Sequence, residues 1–452
     1  MNWSGHKLRG DWLPAFAGVI LSTVAGSIFL LGWPAGLLPS MSYPYSYSGD
    51  GLSSLWLTQR AMEGWIFENE RSGFPFGSSF LDYPGADSGS FLILKIAGLL
   101  TGSSAAALNI FFLLGFAFNF LSAYYVTRWL RVGRGLSFAT AVLFTLAPFH
   151  FLRISHIFYT FYFSIPIYFM LAIRIATCDA SIDFFSASTK RKIALALLYL
   201  MLACFGVYYT VFGLILIGTA CAVAVFKRNL RAVSRIAAPA IVLLTIGTLA
   251  NIAPNVINKQ INGPNPEVAA RAPGESEVYG IKPIQLVLPR QDHRSPALAN
   301  ITASYMANTP LVNENHTASL GLLGSVGLVL LALVAFARMT DQRIDERLMI
   351  LATLSITLLA FMTIGGLGSV FAHLVSPSIR GWNRASIFIS FSTLAALAIA
   401  IQAVSDRWRP HKGITVAAAA SAVMLLFGSW DQTSRACVEC QRSGEAAFNQ
   451  DK

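Results

Sequence analysis

Tyr43-Pro44-Tyr45-Ser46-Tyr47-Ser48-Gly49-Asp50 decides how this chain is read. A flexible glycine presents a carboxylate only about a dozen residues after an apolar run, 14 to 36, that is long enough to cross a membrane. The acid opens a segment, Ser40 to Ser90, far longer than a connection between two membrane helices needs. That segment carries six acids, Asp50, Glu63, Glu68, Glu70, Asp82 and Asp87, among ten aromatic residues that include Trp56 and Trp65.

Working outward from this loop, apolarity dominates. Of 452 residues, 55% are hydrophobic and 12% charged, which leaves most of the chain without a water-soluble surface. About 20 apolar residues cross the roughly 30 Å of membrane hydrocarbon. Runs suited to this lie at 14 to 36, 105 to 127, 136 to 150, 157 to 175, 192 to 207, 209 to 226, 236 to 254, 318 to 337, 348 to 366, 385 to 404 and 413 to 430. The expected fold is an all-α polytopic membrane protein of about 11 transmembrane helices, residues 1-452 forming a single membrane domain. The runs at 136 to 150 and 192 to 207 are short, and Pro148 and Pro166 soften the boundaries near the first of them.

Charge sets the expected sidedness. With the N-terminus in the cytoplasm, the inner segments hold 19 of the 33 basic residues, among them Lys7, Arg9, Arg128, Arg134, Arg338 and Arg343, against seven acids that include Asp11 and Asp341. Every inner segment then has at least two Lys or Arg, as the positive-inside rule asks. The net charge of +11 follows from topology and gives no reason to expect nucleic acid as a partner. Met1 to Trp12 followed by the first span reads as an anchor, not a cleaved signal.

Three outer segments are long: the first periplasmic loop 40-90, the second 255-317, and a shorter one at roughly 367 to 384, with a short periplasmic tail at 431-452. Function is therefore expected on that side. In the first loop Leu52, Leu55, Trp56, Met62 and Ile66 have the spacing of an amphipathic helix, lying on the membrane or packed on the bundle. Phe91 to Leu100 is too short to span and reads as interfacial, with Lys95 reaching lipid phosphates. In the tail, Cys437 and Cys440 are either closed as a disulfide or an incidental pair, and two ligands do not make a zinc site. The tail is short, or the natural chain continues past residue 452.

Several residues are candidates for chemistry. Asp50 is a general base, a metal ligand or a helix N-cap. Glu68 and Glu70 have a spacing found in acidic metal motifs and equally in solvated charge runs, and Asp82 and Asp87 sit in a Pro- and Gly-punctuated turn. His150 and His156 flank Arg153 at the end of a span, where ionisable side chains line a polar cavity or anchor at the headgroups. Glu275, Glu277, Tyr279 and Glu314 in the second segment are further cavity candidates. Arg290, His293 and Arg294, with Arg380, Asn383 and Arg384 before the tenth expected helix, suit a phosphate or diphosphate, because the guanidinium fork donates paired hydrogen bonds to its oxygens. No Walker loop, dinucleotide fingerprint, Gly-x-Ser-x-Gly elbow or His-Glu-x-x-His is present in the sequence.

Ser48-Gly49-Asp50-Gly51, Pro75-Phe76-Gly77, Asp82-Tyr83-Pro84-Gly85-Ala86-Asp87 and Pro148 to His156, in this order between one span and many, resemble the C-type (GT-C) membrane glycosyltransferase superfamily and bacterial membrane proteins of that type. The resemblance implies sugar transfer from a polyprenyl-phosphate-linked donor to a glycan or lipid acceptor at the periplasmic face of a bacterial inner membrane, with inversion at the anomeric carbon. It makes Asp50 the base that activates an acceptor hydroxyl, or a ligand of a divalent cation such as Mg or Mn. Two departures stand out: Asp50 has no acid beside it, and the outer C-terminal soluble domain of many relatives is missing. The rival reading is a transporter or lipid flippase without bond chemistry. It calls for ionisable groups near the midplane, whereas the charges here cluster at the ends of the spans.

Overall fold

The computed structural model describes residues 10–83, 87–268, 270–337 and 344–451, the side chain of Pro410 excepted. Lys7, Arg9, Arg338, Asp341 and Arg343 from the sidedness argument, and Pro84-Gly85-Ala86 of the turn motif, lie outside these residues.

The chain is an all-α membrane protein. Among the described residues the only strands are Glu68–Asn69 and Ser78–Ser79, which pair antiparallel. Eight helices are long and apolar enough to span a membrane: Trp12–Leu31, Ser104–Trp129, Arg134–Leu152, Ile154–Ala176, Val207–Phe226, Leu230–Asn262, Trp382–Ser405 and His411–Gln432. The runs expected at 192 to 207, 318 to 337 and 348 to 366 lie on shorter helices, Thr189–Ala203 with 15 residues and Gly321–Ala337 and Glu346–Met362 with 17 each. At about 1.5 Å per residue these rise roughly 22 to 26 Å, less than the hydrocarbon thickness. The described residues thus supply eight clear spans against eleven expected.

Glycines set how closely the first span approaches its neighbour. A Cβ at Gly18 or Gly26 would run into the rings of Phe120 and Phe116, so Trp12–Leu31 lies directly on Ser104–Trp129. At the start of that span Asp11, fully buried, takes Arg128 at 3.1 Å and Arg134 at 2.7 Å. The loop that begins at Ser40 leaves from the opposite end of the same span.

The loop is ordered by three elements. Helix Asp50–Glu63 begins after Gly49, whose φ of 51° a side chain would resist. The small hairpin follows, and then helix Ser88–Thr101, 14 residues long, ends on left-handed Gly102. Ser103 caps the next helix, accepting from the backbone N of Ala106 at 3.2 Å. In Asp50–Glu63 the buried face is Ser54, Leu57, Thr58, Arg60 and Ala61, whereas Leu52 and Trp56 stay exposed. Packing on the bundle therefore does not explain those two positions of the expected stripe, although Ile66 is fully buried. Lys95 donates to the carbonyl of Gly64 and lies 5.8 Å from the Trp65 ring, so its first partner is the loop itself.

The helix expected to end near 254 runs on to Asn262, and Pro254 inside it does not stop it. Its last turn and the chain just after it hold the first loop: Asn258 and Asn265 both donate to Asp82, at 3.3 and 2.8 Å. Beyond it, Ile281 pairs with the chain at 362 to 364, its N donating to Met362 O at 2.8 Å and its O accepting from Ile364 N at 3.0 Å. This bridge ties the second long segment to the chain just before the third. Cys437 and Cys440 are joined as a disulfide across the start of the last helix, Val438–Asp451.

Candidate active site

One network gathers residues from all three long segments. Asp50 is the first residue of its helix, with Gly49 in the capping position, so the cap reading does not hold. Its carboxylate is free to reach sideways: Oδ2 lies 2.8 Å from His156 Nε2. His156 gets there because the chain breaks. Pro148 starts the short helix Pro148–Leu152, and after Arg153 a tight 3-10 turn, Ile154–Thr160, carries His156 at φ −100° and ψ 58°. A continuous helix would have pointed that side chain elsewhere.

The same imidazole nitrogen lies 3.8 Å from Glu314 Oε2. Glu314 opens its own 3-10 turn, Glu314–Ala318, capped by Asn313, whose Oδ1 accepts from the Glu314 N at 2.9 Å. Fully buried Arg153 donates to Glu314, and Arg384 Nη2 lies 3.8 Å from its other oxygen. Burial alone would raise the carboxyl of Glu314, but the charges of Arg153 and Arg384 outweigh it and hold it below the usual range. Buried asparagines fix the Glu314–Ala318 turn to the third long segment and to Gly280: Asn383 Nδ2 donates to Asn315 Oδ1 at 2.8 Å, and Asn315 Nδ2 to Gly280 O at 2.8 Å.

Arg384 is held by aromatic faces. Its guanidinium carbon lies 4.2 Å from the centre of the Tyr159 ring and 4.4 Å from that of Tyr208. The Tyr208 hydroxyl in turn accepts from the backbone N of Gly381 at 3.3 Å and donates to Ser378 O at 3.3 Å. Arg380 donates to Glu275 and lies 4.6 Å from the Tyr279 ring. Burial would raise the Glu275 carboxyl, but the Ala272 N–H and the Arg380 contact more than offset that. Asp87, at the head of Ser88–Thr101, is within reach of the Arg384 charge. Burial pushes it up to about 6, against the Gly206 N–H and Arg384, and its Oδ1 has no hydrogen-bond partner in the protein.

The remaining candidates are placed elsewhere. His150 is buried in the core, stacked on Phe116 at 4.1 Å with Nδ1 near Tyr162 Oη at 3.3 Å. Glu68 and Glu70 sit exposed at the hairpin, and Glu277 accepts from Gly365 N at 2.6 Å and from Ser369. Arg290 and Arg294 do not join Arg380 and Arg384. Arg290 is paired with Asp292 at 2.6 and 2.8 Å and donates to Gln432 O at 2.7 Å; Arg294 donates to Thr433 O at 3.1 Å and Ser434 O at 2.9 Å. His293 lies 3.4 Å from Asp431. These three fasten the second segment to the end of the last span. Tyr159 and Tyr208, which sequence reading missed, carry no signal beyond being aromatic near the ends of spans.

No family model matches the chain, and no curated protein is similar to it. Solved structures are. One, of the Archaeoglobus fulgidus oligosaccharyltransferase tethered to an acceptor peptide with the NVT sequon, is 11% identical with a TM-score of 0.49, covering 97% of this chain and 55% of that one. A second, of the same enzyme with zinc and sulfate, is 14% identical with a TM-score of 0.46, covering 94% and 53%. The chain spans about half the length of these structures. What the site does rests on its own residues.

Proposed function

We propose that the chain transfers a sugar from a polyprenyl-phosphate-linked donor to an acceptor at the periplasmic face of a bacterial inner membrane, its N-terminus in the cytoplasm and its C-terminus in the periplasm. The observation that carries this reading is the Asp50–His156 contact at 2.8 Å, set beside two buried arginines on Glu314. An exposed acid and cationic donors share one network, the pairing that glycosyl transfer from a phosphate requires.

Asp50 takes the proton of the acceptor hydroxyl as that oxygen bonds to the anomeric carbon. The bond from that carbon to the donor phosphate breaks on the opposite face, which inverts the centre, and the phosphate leaves with the electron pair. Its growing charge is met by Arg384 and Arg380. Support comes from the orphaned donors: Nε and Nη2 of Arg153 and Nε of Arg384 are buried without a protein partner. Each such group costs about 1 to 3 kcal/mol, and an anionic ligand would remove the cost. His156 orients Asp50, the service a hydrogen-bonded neighbour gives a catalytic base. Arg290 and Arg294, already bonded to the chain at 432 to 434, take no part.

A divalent cation, Mg or Mn, belongs to the C-type expectation, with Asp50 as a ligand. The residues as they stand do not fit one: Asp50 and Glu314 both turn toward the same imidazole nitrogen, and among the described residues no three His, Cys, Asp or Glu form a metal-holding group.

Mass spectrometry of lipids that copurify with the protein tests the donor class. A bound polyprenyl phosphate or its glycosylated form is expected. A bound solute with no prenyl carrier would overturn the reading in favour of a transporter or flippase.

A further inference from the structure

The last helix, Val438–Asp451, lies across the loop that leads into Asp50 and leaves a crevice of about 380 Å³ between them. Its walls are Tyr43, Tyr45, Ser46 and Tyr47 on one side and Gln441 and Ser443 on the other. The volume falls within the roughly 300 to 1,000 Å³ of small-molecule sites. A second cavity of about 240 Å³ adjoins it, sharing Tyr45 and Gln441, and adds Arg290 and Asp292.

The loop wall is built, not loose. Asn109, 1% exposed, accepts from Tyr45 N at 3.0 Å and donates to the carbonyls of Tyr43 at 2.8 Å and Ser40 at 3.2 Å. Tyr47 donates to Asp451 at 2.8 Å and packs edge-on against Phe448 at 5.3 Å, which joins the two walls. One polar atom is unaccounted for: the Tyr45 hydroxyl is buried and has no hydrogen-bond partner in the protein. The Tyr45 side chain borders both cavities.

We propose that this crevice holds the acceptor, and that the acceptor is a saccharide. The inference rests on the transferase reading and names its substrate class. A sugar ring presents apolar C–H faces and a rim of hydroxyls that both donate and accept. Tyrosine, serine and glutamine match this, because they combine flat surface with groups that donate and accept in turn. A prenyl or acyl chain calls for an aliphatic wall, and of the eleven residues that line the crevice only Pro44 and Ala447 are aliphatic. The crevice also ends at the right place: Ser48 is its last loop residue, and Asp50 follows two positions on.

The test is saturation-transfer NMR on the full chain in lipid nanodiscs with free maltotriose, mannotriose and chitotriose as probes. A Cβ on Gly444 would meet nothing within 4 Å, so Gly444→Trp fills the crevice without displacing the helix. At least one trisaccharide should show transfer to the wild type, with the signal lost in Gly444→Trp. Ser443→Ala removes one hydroxyl that lines the crevice and should weaken binding by about 2- to 10-fold, one hydrogen bond's worth. No transfer from any probe to the wild type, or undiminished transfer in Gly444→Trp, overturns the site. Saccharide binding without sugar transfer would contradict the transferase reading and leave the site standing. Transfer onto a lipid acceptor with no saccharide binding would do the reverse.

Discussion

The Nε2 of His156 lies 2.8 Å from Oδ2 of Asp50 and 3.8 Å from Oε2 of Glu314, so one imidazole ties the first long loop to the second. The loops are far apart in sequence, and the broken helix at 153 to 156 is what brings the ring between them. Asp50 stays 64% exposed as a side chain, open to an acceptor, while its partner is mostly covered at 28%.

His156→Ala should therefore cost turnover more than fold. Losing the group that orients the base lowers kcat about 10- to 100-fold, with little change in melting midpoint, since the ring is not part of the apolar core. His156→Gln, which can still donate to Asp50, should recover part of the loss. Steady-state kinetics on both variants check this; equal kcat in His156→Ala and wild type would remove His156 from the mechanism.

Arg384→Lys keeps the charge but loses the planar fork stacked between Tyr159 and Tyr208. A hydrogen bond to a charged group is worth about 1.5 to 3 kcal/mol, so activity should fall roughly 10- to 100-fold. Arg290→Lys, whose parent side chain is spent on Asp292 and Gln432, should leave the donor KM near wild type. A larger effect on donor KM at Arg290 than at Arg384 would reverse the assignment.

Arg153→Met should destabilise the protein by about 3 to 5 kcal/mol, because it strands Glu314 in a buried site. Adding Glu314→Gln should restore part of that stability while activity stays low. Melting midpoints of the single and double variants measure the coupling; strictly additive losses would mean that the pair is not coupled.

Asp87 gives the pH dependence of stability. Its folded-state pKa is pushed up from 3.8 to about 6, so between these values the folded protein binds more protons than the unfolded chain. Stability then falls as pH rises from about 4 to about 6, by up to about 3 kcal/mol, and stays lower above that. Asp87→Asn, which keeps the shape and can still accept from Gly206, should flatten this dependence and raise the melting midpoint at pH 7.5. A wild-type midpoint independent of pH from 4 to 7 would show that Asp87 is not held this way.

Much of the fold is legible in the sequence, because apolar runs report their helices directly: Trp12–Leu31 and Ser104–Trp129 fall where the runs lie. Length is harder, since a run of apolar residues does not reveal that Thr189–Ala203 stops after 15. In the site, Asp50, Arg153, His156 and Glu314 are recognisable as ionisable groups at the ends of spans or in long loops, where charge needs a reason. Their contact is not recognisable, for it depends on the φ and ψ of His156. Arg290 and Arg294 look like phosphate ligands in sequence, which gives no sign that they will donate to the carbonyls of Gln432, Thr433 and Ser434. Tyr159 and Tyr208 are hidden among 14 tyrosines of similar setting.

The central claim is that Asp50 takes the proton during sugar transfer, and its direct measurement is turnover of a polyprenyl-phosphate sugar by the reconstituted Asp50→Asn variant. The side chain keeps its size and can still meet His156 but no longer accepts a proton. Turnover should drop by at least about 100-fold with an unchanged melting midpoint. Wild-type turnover in that variant would contradict the account.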